Sequence, residues 1–271
     1  MLTAMKLLVC VKQVPESEAV VSIDKDAGWV EVHDTSVFRM NHYDECAVEA
    51  AVQIKEAFPG TTIHILSVGP ERSEVVIRRA IGMGADHGTH MVTPGDGFVD
   101  PSILARWMAA VSEASDADLI LCGAMSEDLM QGQVGPLMAE YLFLPCATAV
   151  VHVKIMPVGE GVHVEREIEG GYRETVALQL PALLTIQTGI NQPRYPSLSN
   201  LLRANKLKLN TLFVDAMNES SPLQGVRQVT LPKKLREGVF LEGSTSQKAE
   251  QLLTILSDRS FFTKPSNSDL L

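Results

Sequence analysis

Leu119-Ile120-Leu121-Cys122-Gly123, running on through residues 124–133 into Val134-Gly135-Pro136, decides how the chain is read. The apolar residues after Asp118 predict a buried parallel strand and Gly123 ends it. A polar loop follows, and Leu137-Met138-Ala139-Glu140-Tyr141-Leu142 resumes at helical spacing. A strand, a glycine turn and a helix in that order belong to an open α/β sheet, where such turns lie at the carboxyl ends of the strands. The free N–H groups and positive dipole end of the helix favour a phosphate there. The loop therefore reads as half of a nucleotide pocket. Taken alone such a turn is not specific, because many βα turns contain a glycine and bind nothing.

The same alternation fills the chain before it. Residues 7–11 predict the first strand, and residues 20–23 and 29–32 a hairpin about the turn residues Asp24-Lys25-Asp26-Ala27-Gly28. A helix is expected over residues 44–58, with Ala47, Ala50, Ala51, Ile54 and Phe58 on one face and Pro59-Gly60 as its stop. Residues 63–68 predict a strand, Gly69-Pro70 a turn, and Val75, Val76, Ala80 and Ile81 the apolar face of a helix. A short strand is expected at residues 90–92. Asp100-Pro101 then supplies an N-cap and a first-turn proline for a helix carrying Ile103, Leu104, Trp107, Met108 and Val111. Such regular alternation implies βαβ units and a mostly parallel, doubly wound sheet.

After Pro145 the rhythm changes. Residues 148–155, 162–168 and 175–180 are strand-like and joined by glycine-rich turns, which predicts an antiparallel extension of the sheet. Beyond Pro193 the alternation fades, and a last helix is expected at residues 247–256. A tail with its own helix but too little apolar surface to fold alone more often docks on a partner than hangs free. Residues 1–193 are therefore expected to form the α/β domain and residues 194–271 a recognition loop and docking arm.

Composition narrows the class. A chain of 271 residues buries a full core. Its 33 acidic against 23 basic residues give a net charge of −10, which argues against nucleic acid as a partner. Cys10, Cys46, Cys122 and Cys146 show no CxxC spacing and read as reduced thiols of a cytoplasmic protein. No apolar run is long enough to cross a bilayer; the richest, residues 176–186, is broken by Gln179 and Pro181. Residues 5–11 imitate a secretion signal, but Lys12 interrupts them and no small-residue cleavage site follows.

Several chemistries are discounted. Gly82-Met83-Gly84-Ala85-Asp86-His87-Gly88 has one residue too many in its last gap for a dinucleotide fingerprint and reads as a helix C-cap. There is no P-loop lysine and no GxSxG elbow. His87 and His90 would point to different faces, so a metal pair is not expected. Glu165, Glu167 and Glu169 alternate on one strand and read as a solvated face, favoured over paired acid/base carboxylates.

The longest motif is Val164-Glu165-Arg166-Glu167-Ile168-Glu169-Gly170-Gly171-Tyr172-Arg173-Glu174-Thr175-Val176, continuing through Leu180-Pro181-Ala182-Leu183-Leu184-Thr185. Upstream stand Val11-Lys12-Gln13-Val14-Pro15, Met40-Asn41-His42-Tyr43-Asp44, Ala47-Val48-Glu49-Ala50-Ala51, Ser67-Val68-Gly69-Pro70 and Gly82-Met83-Gly84-Ala85-Asp86. Downstream comes Asn191-Gln192-Pro193-Arg194-Tyr195-Pro196-Ser197-Leu198. In this order the motifs resemble the beta subunit of electron transfer flavoproteins, over about residues 5–205. The resemblance implies a fold of the adenine-nucleotide-binding type and an alpha-subunit partner that carries the redox FAD. It also implies AMP in this subunit, or a second FAD in bifurcating members that oxidise NADH. Clients would be dehydrogenases such as acyl-CoA dehydrogenase, as in fatty acid oxidation, and the acceptor a quinone oxidoreductase. The chain would carry out no bond chemistry and hold no metal.

By resemblance the nucleotide falls on Cys10, on Asn41, His42, Tyr43 and Asp44, on Val68, and on Gly123, Ala124, Met125, Ser126, Asp128, Gln131, Gly132, Gln133 and Val134. Physics agrees, since these stretches all sit at strand ends or helix starts on one edge of a parallel sheet. Where the family often has a basic residue and Gln-Ala-Ile, this chain has Ala124-Met125-Ser126-Glu127, which weakens a side-chain clamp on phosphate. Leu198 occupies the place of the family's client-anchoring leucine, with Tyr195 and Arg203 beside it; on residues alone a plain helix start with core leucines fits equally. From another class, a stand-alone ATP-binding stress-type protein or an ATP pyrophosphatase-like ligase shares the strand pattern. The ligase wants an SGGxDS-type loop where this chain has Lys12-Gln13-Val14-Pro15-Glu16.

Overall fold

A computed structural model describes residues 4–16, 22–24, 29–31, 37–95, 97–156, 161–214, 221–231 and 238–258, and the chain divides into two compact units, residues 1–230 and 231–271. The turn expected at residues 25–28 lies outside the described residues.

The first unit opens with β1 (Lys6–Cys10), whose apolar residues are buried to either side, as a central parallel strand requires. Four short pieces follow: β2 (Gln13–Pro15), β3 (Ser22–Asp24), β4 (Trp29–Glu31) and β5 (Phe38–Met40). β2 pairs antiparallel with β5, and β3 with β4. Then come α1 (His42–Ala57), β6 (Thr62–Gly69), α2 (Glu74–Met83), β7 (His87–Val92), α3 (Pro101–Ser115), β8 (Leu119–Gly123) and α4 (Val134–Tyr141). The chain continues through β9 (Cys146–Ile155), β10 (Val162–Ile168), β11 (Tyr172–Leu178), β12 (Ala182–Ile186), α5 (Leu198–Lys206) and β13 (Asn210–Phe213). The second unit contains α6 (Thr245–Asp258), none of whose residues is buried.

The helix boundaries follow from local chemistry. Asp100 caps α3 by accepting the Ser102 N–H at 2.6 Å, and Pro101 starts it. Gly84 ends α2 with φ at 141°, a conformation that a side chain resists, so the glycine cluster there is a helix end. Its neighbours in sequence, His87 and His90, both lie on β7; His87 is exposed and His90 buried.

One nine-stranded sheet has the order β11-β10-β9-β12-β8-β1-β6-β7-β13. From β9 to β13 every pairing is parallel, and β10 runs against both of its neighbours, which is the antiparallel extension. Helices cover both faces. Leu7 and Val9 of β1 turn toward α1 and α2, joining Ala47, Ala51, Ile77 and Ala80, whereas Leu8 turns toward α3 and α4, joining Ala105, Met108 and Met138. Burying each such aliphatic side chain stabilises the fold by ~1.5–3 kcal/mol.

Two findings go beyond the sequence reading. Residues 182–186, part of a run that Gln179 and Pro181 interrupt, form the fully buried strand β12 between β8 and β9. Pro181 precedes that strand, where its missing N–H interrupts no ladder. Where alternation fades, beyond Pro193, the chain still forms α5 and β13, and β13 adds to the sheet beside β7.

Candidate functional site

The sheet's winding reverses between β1 and β8. α1 and α2 carry the chain from β1 to β6 and β7 on one side, and α3 returns it to β8 on the other. Such a reversal opens a crevice outside the carboxyl ends of the two strands, because their connections leave in opposite directions. Cys10 and Cys122 stand in register there.

Asp44, in the first turn of α1, spans this seam. Its Oδ2 accepts the Lys12 N–H just past β1 at 2.8 Å, and its Oδ1 accepts the Gly123 N–H at the end of β8 at 2.9 Å. Burial pushes its carboxyl up to about 7, against the pull of donors from Lys12, Asn41 and Gly123. Gly123 is required by this approach: a Cβ there would meet the Asp44 carboxylate and lie 2.6 Å from Tyr43 Cβ. Burial, with Asp44 adding to it, also holds the Cys10 thiol well above the usual thiol range, and Cys122 is raised in the same way. Both are neutral, apolar wall. All four cysteines are free.

The loop between β8 and α4 is tied down from the opposite side of the seam. Asn41 Nδ2 donates to the Met125 carbonyl at 2.9 Å, and the Glu127 N–H returns to Asn41 Oδ1 at 3.1 Å. Lys12 Nζ reaches Asp128 at 2.6 Å and Ser126 Oγ at 3.3 Å. Glu127, which in sequence weakens a phosphate clamp, instead accepts the His42 N–H at 3.1 Å and Arg39 Nη2 at 2.9 Å. It serves the start of α1, and it does not line the cavity. At the head of α4, Gly135 lets the helix approach the sheet, since a Cβ there would lie 2.7 Å from Thr185 Cγ2 and 2.8 Å from Cys122 Sγ. No side chain caps α4.

These elements enclose a cavity of about 860 Å³, its open mouth included. Of the residues expected in the site, Cys10, Asn41, Asp44, Val68, Gly123, Ala124, Met125, Ser126, Gln131, Gly132, Gln133 and Val134 line it. His42, Tyr43 and Asp128 stand behind that lining, Tyr43 against Gly123 and Asp128 on Lys12. Leu129, within the expected loop, also lines it, and so do Lys12, Leu104, Met108, Gly135 and Met138, which the sequence did not point to. Lys12 was within reach, two residues past Cys10; the α3 and α4 side chains come in only through the sheet's topology. Gln224 joins the two helices that frame the cavity, its N–H on Asp100 Oδ2 at 2.6 Å and its carboxamide on Gln133 Oε1 at 3.1 Å.

Tyr195, Leu198 and Arg203 lie elsewhere, on and before α5. Tyr195 is 88% and Leu198 74% exposed, and Arg203 is exposed. Ser197 caps α5, and Leu198 is its first residue. Among the described residues no group of three or more His, Cys, Asp or Glu side chains is placed to hold a metal ion, and no helix is long and apolar enough to cross a membrane.

A mostly parallel α/β sheet with a cavity at its reversal point defines the class. The electron transfer flavoprotein domain family matches residues 29–216. An electron transfer flavoprotein subunit beta from Bacillus subtilis (strain 168) is 32% identical over 258 residues, covering 93% of this chain and 97% of that protein. The subunit beta of Methylophilus methylotrophus is 29% identical over 262 residues, 94% of this chain and 98% of that one. The subunit beta of Homo sapiens is 35% identical over 210 residues, 77% and 81% respectively. The chain therefore belongs to the electron transfer flavoprotein beta-subunit family, a family of electron carriers.

Proposed function

We propose that this chain is the subunit of a heterodimeric electron transfer flavoprotein that holds an adenine nucleotide, braces the FAD of an alpha subunit and recognises client dehydrogenases. The carrying observation is the cavity at the sheet reversal, whose chemistry fits such a ligand. Val68, Leu104, Met108 and Met138 give it apolar walls suited to a base, and the uncapped head of α4 brings the N–H groups of Val134 and Gly135 to its edge. Gly132, with φ at 62°, makes the left-handed turn before α4, and Gly135 lets the head of that helix sit close against β8 and β12. In this reading the base packs between β1, β6 and α3, and the loop at residues 124–133 meets the sugar and phosphate. The fold is then of the adenine-nucleotide-binding type.

Residues 1–193 hold the nucleotide, and residues 194–271 carry the recognition loop and docking arm, with β13 of this stretch added to the sheet of the nucleotide-holding part. Leu198, exposed at the head of α5 with Tyr195 and Arg203 near it, is the anchor for clients such as acyl-CoA dehydrogenase, whose electrons pass on toward a quinone oxidoreductase. α6, with Leu252 and Leu253 exposed, belongs to the arm that docks on the alpha subunit. Free thiols support a reducing, cytoplasmic setting.

The test is co-expression with the alpha subunit, followed by the visible spectrum and chromatography of extracted nucleotides. One flavin and one AMP per heterodimer is the expected result. Two flavins would replace this reading with a bifurcating one, and a chain that purifies as a stable monomer with ATP bound would replace it with a stand-alone binder.

A further inference from the structure

Away from the cavity, β6 and β7 bring together two histidines that the chain keeps apart. The parallel register sets His64 against His87. On β6, Ile63 and Ile65 pack toward α1 and α2 and Leu66 toward α3, so alternation puts His64 on the α3 face. His87 shares that face as its register partner. The ring centroids lie 6.2 Å apart, with the planes 37° from each other. His64 is half-buried and His87 exposed.

The His64 ring is held as a metal ligand is held. Its Nε2 is hydrogen-bonded to Thr89 Oγ1 at 2.8 Å, and Asn210 Nδ2 of β13 donates to the same oxygen at 3.4 Å. Thr89 is buried, so it fixes one edge of the ring, and Nδ1 has no protein partner among the described residues. An outer hydrogen bond of this kind orients a ligating imidazole. Burial, and then the neighbouring His87, hold the His64 ring below the usual imidazole range, which keeps it in the neutral form that coordinates.

From this geometry we propose that His64 and His87 form a two-histidine site for a divalent ion of the zinc, copper or nickel class, which ties β6 to β7 on the α3 face of the sheet. Imidazole nitrogen suits these ions, whereas magnesium and calcium take oxygen. Two imidazoles at ~2.0–2.1 Å from one tetrahedral ion place their centroids ~5 Å apart, a gap that rotation of the exposed His87 ring closes. Water fills the remaining positions, since among the described residues no third His, Cys, Asp or Glu joins the pair. Val68, which lines the cavity, is four residues further along β6, ~13 Å away. The metal site therefore stands or falls independently of the nucleotide reading.

Calorimetric titration of the full 271-residue chain, free of any histidine tag, with zinc chloride tests this. Magnesium chloride is the control for surface carboxylates on a chain of net charge −10. One zinc per chain is expected, undisturbed by magnesium. His87→Ala, at an exposed position, should weaken zinc by ~100-fold, because the remaining ligand loses the effective concentration of its neighbour. His64→Ala should weaken it as much. The double variant should lose far less than the sum of the two, since one imidazole alone holds zinc poorly. Zinc should raise the melting temperature of the wild type and leave that of His87→Ala unchanged. Unchanged affinity in His87→Ala, or single losses that add in the double variant, would mean an adventitious ion only and overturns the proposal. Displacement of zinc by magnesium, or no zinc binding at all, overturns it equally.

Discussion

Asp44 accepts one backbone N–H from each side of the chain reversal, and Gly123 stands against it with no room for a methyl group. Gly123→Ala would drive its Cβ onto Tyr43 Cβ and to 3.1 Å from the Asp44 nitrogen, atoms that rotamer changes do not move. A loss of ~1–3 kcal/mol is expected, read as a lower urea midpoint at unchanged slope. Asp44 also gives the protein a pH response. Burial lifts its folded carboxyl to about 7 while the unfolded one titrates near the ordinary carboxylate value of 3.8, so between those values the folded state holds the extra proton. Stability from this group is therefore full below pH ~4 and declines as pH rises toward and through ~7, by at most ~1.4 kcal/mol per unit. The difference in unfolding free energy between wild type and Asp44→Asn, followed from pH 4 to pH 8, should show that fall; a difference independent of pH would contradict it.

α5 is positioned as an element by α2 and α1. Arg78 Nη1 donates to the Ala204 carbonyl at 2.6 Å, capping one end of α5, and a Cβ on Gly82 would lie 2.9 Å from Leu201 Cδ2 and 3.0 Å from Pro196 Cβ. Arg194 locks the preceding loop onto the buried Glu49 at 2.8 Å and onto Glu56 at 2.6 Å. In the sheet, β12 is the counterpart: Leu184→Ala should cost ~2–5 kcal/mol in denaturant unfolding, as deletions in a tightly packed core do. The sequence makes the elements on both sides of β1 legible because each strand is a short apolar run and each helix has a stop or cap of its own, such as Gly84 or Asp100. It hides β12 because Gln179 and Pro181 break the run around it, and what defines that strand is its pairing with β8 and β9. The cavity divides in the same way. Its strand-end and loop residues can be read from the chain, whereas Leu104, Met108 and Met138 join it only once α3 and α4 cover one face of the sheet.

Over the whole molecule, a net charge of −10 coexists with exposed aliphatic and aromatic side chains at Leu198, Leu202 and Tyr195. With Arg203 and Lys206 on the same helix, this patch suits a partner that brings acidic residues to the rim and an apolar pocket to the centre. Leu198→Ala is expected to slow reduction of the heterodimer by a client dehydrogenase by about tenfold or more, the range of a buried anchor residue, with flavin content and melting temperature unchanged. Stopped-flow bleaching of the flavin measures the rate; equal loss of rate and flavin would mark Leu198 as structural. The cavity carries a consequence for biogenesis. One wall is laid down at the end of β1 by Cys10 and another by α4, so during synthesis no seat exists until Met138 and its neighbours have left the ribosome and closed over the first strand. A small molecule settling there would act as a clasp on the finished article, lengthening the lifetime of the native state by slowing its opening while leaving the speed of collapse untouched.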